Sequence, residues 1–217
     1  MDPRPTLDTG VTLLETPGQR STALHRLVVE TATTDTGPVY WVDARNTAAV
    51  AVLADLADSR RLLARTKVAR AFTAYQHHEL VRQLVRRVDS RTSLVVCPNL
   101  GALYRDDDVP ETESARLLDA SVTVLADLAT ACDVPVLVTA RGGSYERVAR
   151  VADCELNCTR TRFGFRYEGD SFETEVYPVD GGWQTTIPYW VDLCGAVTES
   201  GIALDADPSV AELLGVA

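Results

Sequence analysis

Ser93-Leu94-Val95-Val96-Cys97-Pro98-Asn99-Leu100-Gly101-Ala102-Leu103-Tyr104-Arg105, continuing as Asp106-Asp107-Asp108-Val109-Pro110-Glu111-Thr112-Glu113-Ser114, is the stretch from which the fold is read. Leu94 to Cys97 is short, unbroken and apolar, and Pro98 closes it. Such a run predicts a strand covered on both faces, the type found in parallel sheets. Downstream, Leu117, Leu118, Val122, Leu125 and Leu128 recur at helical spacing between Ser114 and Cys132, which predicts a helix lying on that sheet. The segment joining the two leaves the carboxyl end of a buried strand, where ligands of α/β sheets gather.

Toward the N-terminus, Gly10 to Leu14 reads as a first strand, Thr16-Pro17-Gly18-Gln19-Arg20-Ser21-Thr22 as a turn, and Ala23 to Thr33 as a helix. After Gly37-Pro38, Val39 to Asp43 reads as a second apolar strand, with Asn46 as N-cap of a helix over Thr47 to Asp58. Arg60 to Thr66 reads as a short strand or linker, and Tyr75 to Val88 as a helix. Toward the C-terminus, Val134 to Thr139 predicts another buried strand, Ala140 to Tyr145 a short tether, and Glu146 to Val151 a helix. From Ala152 the pattern turns to alternating strands with tight turns, over Cys154 to Cys158, Thr161 to Tyr167 and Phe172 to Tyr177. The expectation is one α/β domain over residues 1–217, with its core over 10–180 and an aromatic-rich extension over 181–217.

Ala102-Leu103-Tyr104-Arg105 after a buried strand, Ala69-Arg70-Ala71-Phe72 before a polar segment with Gln76, and the order of strand, glycine turn and helix at the N-terminus together resemble the RecA/RadA recombinase superfamily, including its KaiC-like branch. The resemblance covers roughly residues 10–180. It implies a RecA-like three-layer sandwich, with a mostly parallel central sheet and antiparallel C-terminal strands, built around an ATP site. The groups that would work there are replaced. The family's phosphate loop, GxxGxGK[ST], laid with Gly18 on its middle glycine, puts Arg20 on the third glycine, Ser21 on the lysine and Thr22 on the magnesium-binding hydroxyl. Shifted by one, it puts Arg20 on the lysine and Ser21 on the hydroxyl. Pro98, beside Asn99, takes the place of the magnesium-binding aspartate. In the segment Asp43-Ala44-Arg45-Asn46-Thr47, Arg45 takes the place of the water-orienting glutamate, and a guanidinium has no lone pair with which to accept a proton. Phosphoryl transfer needs all three groups together. The resemblance thus implies a degenerate ATPase without hydrolysis. Its turn is either an ordinary strand-to-helix turn or a cradle that takes up ATP weakly through Arg20.

The chain has 21 Lys+Arg against 31 Asp+Glu, a net charge of −10. Lys67 is its single lysine. Carboxylate-rich, lysine-poor composition is similar to that of halophilic archaeal proteins; at about 1 M salt the Debye length is roughly 3 Å, so surface charges act only at contact. Five cysteines, Cys97, Cys132, Cys154, Cys158 and Cys194, are an odd number among apolar neighbours and suit a reducing, cytoplasmic interior. No apolar run approaches the length of a membrane span. His77 and His78 are helix neighbours, pointing about 100° apart, which suits solvated or packed histidines better than a joint metal site. Asp106, Asp107, Asp108, Glu111 and Glu113 fill the region that in the family contacts DNA, where cations would be expected. This loop reads as a solvated acidic surface, a divalent-cation site, or a face for a basic protein segment. Trp183, Tyr189 and Trp190 read as packing on a sheet edge or as a second docking patch. The functional expectation is a protein-interaction accessory in DNA recombination or repair. Its alternatives are a regulatory module that binds ATP without hydrolysing it and a weak single-stranded DNA binder, with oligomeric state open.

Overall fold

The computed structural model describes residues 7–18, 21–57, 60–106, 109–162 and 164–169, and the backbone alone of 172–173, 176–179 and 182–185. The elements in chain order are β1 (Gly10–Glu15), α1 (Ala23–Thr33), β2 (Val39–Ala44), α2 (Val50–Leu56), α3 (Arg60–Arg65), β3 (Thr66–Ala71), α4 (Ala74–Leu84), β4 (Leu94–Leu100), a 3₁₀ turn (Leu103–Arg105), α5 (Glu111–Cys132), β5 (Pro135–Ala140), α6 (Gly143–Ala149), β6 (Cys154–Thr161), β7 (Gly164–Gly169), β8 (Phe172–Glu173), β9 (Val176–Val179) and β10 (Gly182–Thr185). Two compact units divide them, residues 1–174 and 175–217. In the second, β9 and β10 pair antiparallel, with Trp183 opposite Pro178. Among the described residues no helix is long and apolar enough to cross a membrane.

The first unit is an α/β sandwich around an eight-stranded sheet in the order β3-β2-β4-β5-β1-β6-β7-β8. The strands β1 to β6 run parallel, while β7 is antiparallel to both β6 and β8. This is the mostly parallel sheet with antiparallel C-terminal strands expected from the sequence, consistent with a RecA-like sandwich. Side-chain alternation along β4 explains why both faces are covered. Val95 and Cys97 pack with Val81 and Leu84 of α4, Leu118, Val122 and Leu125 of α5, and Val148 of α6. Leu94 and Val96 pack on the other face with Trp41, Leu137, Leu24 and Leu27 of α1, and Leu62 of α3. The Tyr167 hydroxyl of β7 donates to the Ala23 carbonyl at 2.8 Å, fixing the start of α1 to the antiparallel edge.

Three local expectations are corrected. Pro98 does not end β4, which runs on to Leu100. Pairing with β2 stops at Val96, and the register with β5 slips between Cys97 and Leu100. Pro98, having no N–H, sits in that bulge, where no ladder donor is required. Asn46 does not cap a helix at Thr47; it has φ +58° beside Arg45 at +63°, and α2 begins only at Val50. The Asp43 carboxylate instead holds the Thr47 N–H and hydroxyl at 2.7 and 2.6 Å, so the chain is tied back before it can turn helical. Arg60 to Arg65 is helix rather than strand or linker. It is fixed by buried Leu62 and by Arg65, whose guanidinium donates to the Ala32 and Gly37 carbonyls and to Ser93 Oγ at 2.9 Å.

Candidate functional site

The connections leaving β1 and β2 pass to the face covered by α1, α2 and α3, and those leaving β3, β4 and β5 pass to the face covered by α4, α5 and α6. Where neighbouring strands part in this way, their carboxyl ends open a cleft. The cleft here is a cavity of about 640 Å³ over the ends of β1, β2, β4 and β5. Gly18, Ser21, Thr22, Arg45, Pro98, Asn99 and Asp106 all line it. The structure therefore gathers in one place residues that the sequence had marked in four separate segments. Arg20, Asp107, Asp108, Tyr189 and Trp190 lie outside the described residues, and Trp183 is described in backbone only.

The turn after β1 is closed by the Ser21 N–H donating to the Gly18 carbonyl at 3.1 Å. Ser21 Oγ accepts from the Ala23 N–H at 3.2 Å, a local turn just before α1, whose N-cap residue Thr22 makes no side-chain capping bond. The Ser21 hydroxyl can carry no positive charge to a phosphate. A methyl group added at Gly18 would meet nothing within 4 Å among the described residues.

After β2, Asp43 is fully buried and its carboxylate is saturated. One oxygen takes the Thr47 and Ala48 donors and the other takes Arg70 Nε at 2.9 Å. Two family-like segments, Asp43 to Thr47 and Ala69 to Phe72, are thus joined by one structural ion pair. Thr73 then caps α4, with its Oγ1 accepting from the Gln76 N–H at 3.2 Å while Gln76 Oε1 accepts from the Phe72 N–H at 3.0 Å. Arg45 leaves this loop and forms an ion pair with Asp106 across the cavity mouth, with a further bond to the Ala102 carbonyl at 3.3 Å.

Near the end of β4, Asn99 has φ +53° and its N–H donates to Thr139 Oγ1 at 2.8 Å. Gly101 has φ +96°, and a Cβ there would fall 1.9 Å from Ser144 Oγ, so α6 approaches this backbone as closely as glycine allows. Beneath the turn, Tyr104 is buried; its hydroxyl lies 2.9 Å from both His77 Nδ1 and Ser121 Oγ, and His78 Nδ1 lies 2.9 Å from the same Ser121 oxygen. Burial, with the neighbouring His78 charge second, lowers the His77 pKa to about 4, so this network holds a neutral imidazole. Glu111 and Glu113, expected in the acidic loop, form the first turn of α5, where carboxylates complement the helix dipole.

Sequence reasoning missed His25 and underrated Arg105. His25 lines the cavity, tilts against Trp41 with ring centroids 5.4 Å apart, and fastens the β2–α2 loop through Nε2 to the Thr47 carbonyl at 2.9 Å. Burial lowers its pKa. Arg105 donates to the Arg141 carbonyl at 2.8 Å, and Arg141 donates to Thr16 Oγ1 at 3.3 Å. Arg105 and Arg141 each follow a predicted strand or strand-end turn, which marks the end of the sheet they occupy but not that they meet; His25, inside the predicted helix Ala23 to Thr33, carried no such signal. A second cavity of about 740 Å³ shares Gly18, Ser21 and Thr22 and adds Arg26, Arg160 and Arg162.

The magnesium–nucleotide group implied by the resemblance does not fit this site. The one carboxylate among the described lining residues, Asp106, is engaged by Arg45, and Pro98, also in the lining, has a side chain that can ligate no metal. Among the described residues no group of three His, Cys, Asp or Glu side chains is placed to hold a metal ion. No protein-family model matches the chain, and no curated protein matches it.

Proposed function

We propose that this protein is a catalytically inactive relative of the RecA/RadA recombinases, a pseudo-ATPase that works through protein contacts in DNA recombination or repair in the cytoplasm. The observation that carries the reading is that one cavity is lined by Ser21, Arg45 and Pro98, the residues that the resemblance lays on the lysine, the water-orienting acid and the magnesium ligand. Among the described lining residues the one carboxylate, Asp106, is engaged by Arg45, so none is free to orient a water or hold a magnesium ion for in-line phosphoryl transfer. The scaffold around them is nonetheless kept, through Asp43 and Arg70 and through Tyr104. A retained frame without chemistry suits a protein that is recognised by its surface. Val68, Phe72 and Tyr75, on the edge strand β3 and at the start of α4, are 40%, 72% and 47% exposed and offer apolar contact for such recognition.

The test is a phosphate-release assay with ATP and magnesium in about 1 M KCl, alongside size-exclusion co-elution with a purified recombinase. No turnover together with co-elution that Phe72→Ala weakens supports the reading. Turnover above the protein-free blank overturns it. The second reading, a KaiC-like regulatory module that retains ATP without cleaving it, is favoured by the arginines of the cavity and would show as ATP binding without co-elution. Direct binding of single-stranded DNA is opposed by Asp106 and by the acids that open α5.

A further inference from the structure

We infer that His77 is an acid-sensitive latch on the turn Leu103–Arg105 and, through that turn, on the rim of the cavity: as an Nδ1–H donor it holds Tyr104 in place, and a second proton on its ring lets the turn go. The inference goes beyond the reading above and does not depend on what the cavity binds.

The first argument is the direction of a hydrogen-bond chain. A hydroxyl has one proton and two lone pairs. Ser121 Oγ gives its proton to the Leu117 carbonyl at 2.9 Å, one turn back in α5. It can then only accept from its other two neighbours, the Tyr104 hydroxyl and His78 Nδ1, each at 2.9 Å. Tyr104, having donated to Ser121, can only accept from His77 Nδ1 at 2.9 Å. His77 is therefore the Nδ1–H tautomer, and its lone pair sits on Nε2. That atom is buried and has no hydrogen-bond partner among the described residues.

The second argument is what a further proton does. It can bind only at Nε2, where it makes a cation with an unaccepted N–H in a ring that is 1% exposed. A buried charge of this kind is relieved by reaching water. Among the described residues no neighbour offsets it. On α4 the charge that reaches His77 is that of His78, which opposes the proton, with Arg82 and Glu79 acting on His78 in turn. β2 and β3, on which α4 packs, bring Tyr40, Lys67 and the Asp43–Arg70 ion pair, and the shift at His77 owes nothing to them. β4 presents Cys97, pushed up by burial to about 12, and the turn presents Tyr104, also pushed up by burial, so both stay neutral in acid. From α5 come Ser121 and Ser114, which do not titrate. The His77 pKa is accordingly lowered from 6.5 to about 4, so the latch is whole above pH 6.5 and weakens as the pH falls toward 4.

The third argument is what gives way. α4 is anchored in the core by Ala74, Val81 and Leu84 along its length, whereas the turn is three residues long. Its last residue, Arg105, donates to the Arg141 carbonyl at 2.8 Å, and the next, Asp106, pairs with Arg45 across the cavity mouth. When Tyr104 loses its seat in acid, both of these rim contacts loosen with it.

The experiment is nitrogen NMR of the full chain, labelled with nitrogen-15 at its three histidines, joined to amide hydrogen exchange of wild type and His77→Asn at pH 7 and pH 5. The expected result at pH 7 is His77 with Nδ1 protonated and Nε2 bare. Exchange over residues 101–106, corrected for the chemical rate at each pH, should be about twentyfold faster at pH 5 than at pH 7, the ratio implied by a shift from 6.5 to about 4. Residues 94–97 of β4 should not share the rise, and His77→Asn, whose side-chain amide can donate but takes no proton, should abolish it. An Nε2–H tautomer at pH 7, an equal rise over residues 94–97, or a rise that survives in His77→Asn overturns the inference. If His77→Asn does not fold, the tautomer and the two wild-type segments decide the matter.

Discussion

Two regions at the same end of the sheet have been treated in opposite ways. Around β2, β3 and the Tyr104 turn, the polar residues that resemble a recombinase are buried and fully engaged: Asp43 with Thr47, Ala48 and Arg70, and Tyr104 with His77 and Ser121. Around Gly18, Arg45 and Pro98, at the same end of the sheet, the residues line an open cavity instead. The difference teaches that polar residues at this end of the sheet divide by what they touch. Those that hold the backbone have their partners inside the core, so changing one leaves a partner stranded there. Those that line the cavity have much of their surface open to it.

The sharpest way to break that comparison is Gly101→Ala, at the hinge between the two regions. The new methyl would overlap Ser144 at a backbone φ of +96°. We expect a loss of about 4 kcal/mol in urea denaturation; a loss below about 1 kcal/mol would mean that α6 is not closely held. Next, Asp43→Ala removes the acceptor for four donors and should cost about 3 kcal/mol, while Arg70→Ala, whose guanidinium is 41% exposed, should cost clearly less. Equal losses would refute the view that the carboxylate, rather than the pair, organises the loop.

The third prediction concerns pH. His77 has its folded pKa lowered from 6.5 to about 4, so below pH 6.5 the unfolded chain binds the proton that the folded chain refuses. Stability is therefore full above pH 6.5 and falls as the pH drops toward 4, by about 3 kcal/mol from this group, with His25 acting in the same direction. Denaturation midpoints of wild type and His77→Leu across that window should converge at low pH; parallel curves would sink the assignment. The smallest effect is expected at Asn46→Gly, where φ is +58°. Asparagine tolerates that region with little strain, so a gain of only about 0.3 kcal/mol is anticipated. A loss would show that the Asn46 side chain has a duty in the cavity.

Much of the fold was legible because its signals are local. The apolar runs at Leu94 to Cys97 and Val134 to Thr139 name their own strands, and α1 was read to its end residues, Ala23 and Thr33. What was misread depends on partners distant in sequence. Pro98 continues β4 only because β2 stops pairing at Val96 and Thr139 supplies a side-chain acceptor. The start of α2 is delayed by a carboxylate from the preceding strand. For α3, six residues hold too little periodicity to declare a helix, and its anchors Ala32, Gly37 and Ser93 come from elsewhere. In the candidate site, the marked positions Gly18, Ser21, Thr22, Arg45, Pro98 and Asn99 proved to share one cavity. The arginine surplus was not legible, because Arg105 and Arg141 become neighbours only when β4 and β5 pair.

The strand order also sets a timetable. β1 is the first strand to be made, yet its partners are β5 and β6, whereas β2, β3 and β4 adjoin one another in the chain and in the sheet. Contacts between distant segments form slowly because the intervening loop must first be closed. During synthesis the outer strands have neighbours to join early, while the N-terminal strand waits for most of the chain to emerge. The cleft that β1 and β5 share consequently comes into being only after β2, β3 and β4 have been made, and a nascent chain that stops before Cys154 leaves its first strand half-paired.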